Sequence, residues 1–154
     1  MPDEGADGVL FCLGGHGGGW SLYLRESVPT FCYTLFGIER THVRADGPVP
    51  HGEHQVRVEF GYDGGGLGKG GEFTLYVDGS AVGSGRVDHT QGIGFGYESS
   101  TVGRDSLSPV TDDYSPGDTA FTGSLEWLEM EAGSDSHDHL IDPEDLLRVA
   151  MWKQ

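Results

Sequence analysis

At 154 residues the chain has the length of one domain, and its 36% hydrophobic content is low but sufficient to bury a core. Its 25 Asp and Glu against 9 Lys and Arg give a net charge of −16, which denies it the basic footprint that nucleic acid or an anionic membrane would need. The 27 glycines are about a sixth of the chain against the usual ~7%, with no triplet repeat; collagen is excluded, and many tight turns and an all-β domain are implied.

The opening Met1-Pro2-Asp3-Glu4-Gly5 is acidic and lacks the basic start of a signal peptide. No apolar run approaches the ~20 residues of a membrane span, so the chain reads as soluble and cytoplasmic. Scarce lysine, only Lys69 and Lys153, beside abundant acid also fits a protein that works in high salt. Residues 9–13 form the first strand-like run, and His16-Gly17-Gly18-Gly19 turns it into residues 20–25, where Trp20, Leu22 and Leu24 alternate with Ser21, Tyr23 and Arg25. Residues 29–35 and 38–44 read as two antiparallel strands joined by Phe36-Gly37. Cys12 and Cys32 lie inside such apolar runs; two cysteines make no disulfide framework and read as buried thiols.

Residues 54–60 alternate cleanly, with Val56, Val58 and Phe60 predicted inward. The glycine-rich stretch Tyr62-Asp63-Gly64-Gly65-Gly66-Leu67-Gly68-Lys69-Gly70-Gly71 follows. It invites a phosphate-loop reading, which fails: Asp63 stands where the first Gly should be, and Gly70 where a hydroxyl should bind magnesium. No helical segment follows to point its N-terminus at an anion, so the stretch reads as a connector between two strands. Residues 73–77 and 82–87, separated by Asp78-Gly79, predict a hairpin with a type I′ turn. Beyond residue 88 the chain is irregular, with a short strand predicted over residues 93–97 and another over residues 121–130. Residues 1–133 thus form a β-sandwich of roughly nine or ten strands. Residues 134–141 make an acidic linker, and residues 142–154 a short C-terminal helix, opened by Asp142 as N-cap and Pro143 at the first helical position.

Several of these motifs, in register, resemble the C-terminal non-catalytic region of bacterial and archaeal-type arylsulfatases. They include Gly18-Gly19-Trp20-Ser21-Leu22-Tyr23, Phe36-Gly37-Ile38-Glu39-Arg40-Thr41, the glycine loop, Leu75-Tyr76-Val77-Asp78-Gly79, Gly85-Arg86-Val87, Val102-Gly103-Arg104-Asp105 and Phe121-Thr122-Gly123. The likeness runs from about residue 5 to residue 131. It implies a concanavalin A/laminin-G-like sandwich of jelly-roll type, appended to a catalytic domain. In the family another strand precedes the position of Pro2, which implies either a gene fragment or a sandwich that recruits its missing strand from elsewhere. Thr101 stands where the family often has Asp, so a metal site around Asp105 is not carried over.

Catalytic chemistry is not legible in the chain. The formylglycine motif of sulfatases, Cys or Ser followed by x-Pro-x-Arg, has its nearest counterpart in Ser27-Val28-Pro29-Thr30-Phe31, which lacks the Arg. Neither a Gly-x-Ser-x-Gly elbow nor His-Glu-x-x-His occurs. Glu129 and Glu131 have the spacing of a glycosidase pair, and Asp112-Asp113 is a second carboxylate pair, but both are expected by chance in so acidic a chain. His137-Asp138-His139 falls short of the three or four ligands a transition metal needs. Calcium at Asp63, Asp88 or Asp105 is a better candidate, and a turn role is preferred for each, as for Asp78. No catalytic, cofactor-binding or metal-binding residue is assigned. The expected function is that of an accessory sandwich domain that associates with a sulfatase catalytic domain or with itself. The alternative is a carbohydrate-binding module stacking a glycan on Trp20, Tyr97 or Tyr114.

Overall fold

The computed structural model describes residues 1–92 and 98–131. In them β1 (Gly8–Gly15), β2 (Gly18–Arg25), β3 (Val28–Leu35) and β4 (Glu39–Arg44) pair in succession as an antiparallel meander. A second antiparallel meander follows: β5 (Val56–Tyr62), β6 (Gly71–Val77) and β7 (Ser80–Val87). The short β8 (Ser100–Val102) then returns to the first sheet and pairs with the free side of β1, giving the order β4-β3-β2-β1-β8. The architecture is all-β with two antiparallel sheets, as the strand pattern predicts.

Local chemistry fixes the turns. Asp78 and Gly79 take φ of 48° and 78°, the left-handed pair that a type I′ hairpin requires. Phe36 and Gly37 do the same at 52° and 69° between β3 and β4. Glu26 and Ser27 reach this region at 53° and 62° without glycine, a conformation that persists only where surrounding bonds hold it. Here the segment before β1 supplies them: Asp7 Oδ1 accepts from Glu26 N, and Ala6 O accepts from Ser27 N at 3.2 Å. Ala6 N in turn donates to Ser27 Oγ at 3.0 Å.

Period two sends one face of the first sheet toward the second. Phe31, Tyr33 and Val43 meet Phe73, Leu75 and Val87 there, with Phe31 and Phe73 ring centroids 4.7 Å apart. The sheets approach most closely where β4 crosses β7. A Cβ on Gly83 would lie 2.6 Å from Arg44 O, and Asp46 N donates to Val82 O at 3.2 Å, so this corner has room only for glycine. The opposite face of the first sheet carries Cys12, Ser21, Tyr23, Thr30, Cys32 and Thr34, all buried. They are covered because residues 104–119 fold across them as an irregular third layer, with Val110 and Tyr114 packed on Val9, Cys12, Tyr23 and Cys32. Both cysteines are free thiols. Ser21 on β2 stands in register between them, and two strand spacings of ~4.8 Å exceed disulfide reach.

The expected strand over residues 121–130 does not form. Ala120 makes one parallel bridge to Val9, Phe121 N donates to Gly103 O and Thr122 N to Asp7 O, each at 2.9 Å, and residues 123–131 run on outside any ladder. Alternation specifies an extended backbone; it does not supply a neighbour for it. On β5 Val56, Val58 and Phe60 face the core as predicted, Phe60 stacking on Phe73 with ring centroids 4.3 Å apart, although β5 is an edge strand and leaves Phe60 40% exposed. The strand predicted over residues 93–97, the linker over residues 134–141 and the helix over residues 142–154 lie outside the described residues.

Candidate functional site

The glycine-rich stretch joins β5 to β6 and is cinched from within. Tyr62 OH donates to Gly66 O and accepts from Lys69 N at 2.9 Å, while Asp63 N donates to Gly70 O at 3.0 Å. The Asp63 carboxylate takes both Arg86 Nη groups, at 3.2 and 2.6 Å, rather than Lys69. These bonds from the guanidinium hold its carboxyl below the usual range. Asp88 lies 3.9 Å from Arg86 Nε. Asp105 is buried and accepts from Val110 N at 3.1 Å and Tyr114 OH at 2.8 Å. Asp63 and Asp105 therefore have other partners, Asp88 stands exposed beside Arg86, and no three His, Cys, Asp or Glu among the described residues come together to hold a metal.

The residues weighed for sugar chemistry are dispersed. Trp20 packs on Phe11 and Phe31, with centroids 5.0 and 6.0 Å away. Tyr114 stands edge-on to Tyr23 at 5.4 Å and donates to Asp105, so neither ring is the open stacking platform that the carbohydrate-binding alternative requires. Tyr97 and the His137-Asp138-His139 tract lie outside the described residues. Glu129 and Glu131 sit on the unpaired segment rather than on a strand.

What the fold does assemble is an open cleft of about 320 Å³ over the outer face of the first sheet, lined by Thr30, His42, Arg44 and Asp113. Register explains the gathering: Thr30 on β3 stands between Tyr23 on β2 and Arg44 on β4, and His42 precedes Arg44 by one alternation. The third layer brings Asp113 onto this row. Tyr23 OH donates to Asp113 Oδ2 at 2.6 Å. Burial, then the bond to Asp113, pushes the Tyr23 phenol well above its ordinary range, so it stays a donor. Arg25 Nη1 donates to Asp113 O at 2.6 Å and lies 3.8 Å from Oδ1, while Arg44 Nη2 lies 3.8 Å from Oδ2. Beside them His42 Nε2 is 3.0 Å from Thr111 Oγ1, and Arg40 Nη1 is 3.0 Å from Asp112 Oδ2. Desolvation pushes the Cys32 thiol beneath this row up to about 11, leaving it a protonated filler. Of this group only the Asp112-Asp113 pair drew notice in the sequence. Arg25, Arg44 and His42 carry no local motif, because four separate segments contribute.

The second exposed feature is apolar. On residues 123–131, Leu125, Trp127, Leu128 and Met130 are 41%, 59%, 45% and 62% exposed, interleaved with exposed Glu126, Glu129 and Glu131. The segment leaves the body beside β8, the edge of the first sheet, where Phe121 bonds Gly103.

Compared with protein families, curated proteins and solved structures, the chain matches none.

Proposed function

We propose that the chain is a non-catalytic β-sandwich that works by association, pairing its extended segment with a partner protein. The observation that carries this reading is the exposed apolar run Leu125, Trp127, Leu128 and Met130 on a backbone without a ladder partner among the described residues. Extended chain of this kind adds to a sheet edge: main-chain hydrogen bonds supply affinity and alternate side chains supply specificity. Glu126, Glu129 and Glu131 between the apolar residues call for a partner whose groove is apolar in the middle and basic at its rim. They disfavour a second copy of a chain with net charge −16. The motifs shared with arylsulfatase C-terminal regions support a sulfatase-type catalytic domain as that partner.

The test is sedimentation velocity on the full chain, alone and mixed with a sulfatase catalytic domain stripped of its own C-terminal sandwich. A complex is expected that weakens at least tenfold for Trp127→Asp, with no sulfate-ester hydrolysis by the chain alone. A chain that stays monomeric in the mixture, or a complex indifferent to Trp127→Asp, would sink the reading.

A further inference from the structure

We infer that the cleft over the outer face of the first sheet is a binding site for a small ligand bearing an oxyanion, a carboxylate or sulfate group, with Arg44 as its principal donor. The chain has 9 Lys and Arg in all, and three of them, Arg25, Arg40 and Arg44, converge on this one face with His42 beside them. They face Asp112 and Asp113, with Asp105 buried farther along the same face beneath Tyr114, so this face is close to neutral in a molecule that is otherwise strongly negative.

Arg44 leaves most of its donors unspent. Its side chain is 56% exposed, and its approach to Asp113, at 3.8 Å from one Nη, is too long for a hydrogen bond. Arg25 is 51% exposed and spends Nη1 on Asp113 O. Asp113 accepts from the Tyr23 phenol at 2.6 Å and lies between the guanidiniums of Arg25 and Arg44. A carboxylate or sulfate group entering the cleft could offer two oxygens to the guanidinium fork of Arg44. His42 and Thr30 line the same space, with His42 Nε2 held on Thr111 Oγ1 and the Thr30 hydroxyl on Val28 O. The volume of about 320 Å³ falls within the lower range of small-molecule pockets, ~300–1,000 Å³, and so fits a ligand of monosaccharide size.

The experiment is an amide-resolved NMR titration of the full chain with sodium sulfate, sodium acetate and sodium glucuronate, each against sodium chloride at matched ionic strength. Saturable shifts are expected at residues 30, 42, 44 and 113, with glucuronate strongest if the ligand is an acidic sugar and sulfate strongest if the group alone is read. Arg44→Gln should weaken binding at least tenfold, while Arg57→Gln, on the second sheet, should leave it unchanged. Shifts that follow ionic strength alone, or that spread equally over Arg57 and Arg86, would overturn the inference, as would unchanged binding in Arg44→Gln. Because the readout lies on Arg44 and not on Trp127, failure here leaves the association reading standing, and the reverse also holds.

Discussion

Asp78 illustrates how one side chain can close a turn and set a pH response. It occupies the first left-handed position of the β6–β7 hairpin, and its carboxylate accepts from Gln55 N at 2.9 Å and pairs with His54 Nδ1 at 2.7 Å. The bond from His54, then that from Gln55, lowers the Asp78 carboxyl below its ordinary 3.8, while the same contact raises His54 above its ordinary 6.5. The raised imidazole contributes stability that is full below about pH 6.5 and fades as pH rises through its folded value. The lowered carboxyl contributes stability present above about pH 4 and lost as pH falls through its folded value. The pair therefore supports the hairpin most between those limits. Titration of His54 followed by NMR should give a value above the ordinary one, and Asp78→Asn should return it toward 6.5. An unshifted His54 in the parent chain would contradict the contact.

At the level of strands, the corner between β4 and β7 is the place where sequence and packing are most tightly bound. Gly83→Ala would push a methyl against the Arg44 carbonyl at 2.6 Å, and neither backbone can yield without parting the sheets. A loss of about 1–3 kcal/mol in urea denaturation is expected. Gly61→Ala on β5 is the control, since its Cβ would meet only Glu72 O at 3.9 Å and should be close to neutral. Equal costs for the two would refute the close approach. Hairpins such as Asp78-Gly79 and Phe36-Gly37 were legible because positive φ is a local demand that the sequence answers locally. Residues 121–130 were misread as a paired strand because their alternation describes the backbone alone. Trp20 is legible as core because it alternates with Leu22 and Leu24, whereas Tyr114 lies in an irregular segment whose contact with Tyr23 only the fold supplies. The cleft was illegible for the same reason: β2, β3, β4 and the third layer each give one or two residues, and only the register brings them together.

Across the whole molecule, charge dominates. A net −16 on 154 residues repels itself, and the repulsion is screened over ~10 Å at 0.1 M salt but only ~3 Å at 1 M. The urea midpoint should therefore rise as sodium chloride goes from about 0.05 to 1 M. A flat or falling midpoint would mean that the ion pairs, such as Arg86 with Asp63, contribute more than the net charge costs. The same field bears on the association proposed above: an acidic body with an apolar segment rimmed by glutamates would favour a basic partner over a second copy of itself.

The closure of the first sheet also sets a schedule for making the protein. β1 is translated well before its outer neighbours, which are β8 and the stretch that bridges Val9 to Ala120. The bond from Asp7 N to Thr122 Oγ1 spans 115 residues. At about 5–20 residues per second of synthesis, the first strand waits roughly six to twenty seconds for the segment that seals it. Throughout that interval the nascent chain carries an open strand edge, so the protein's most vulnerable form is the one still attached to the ribosome.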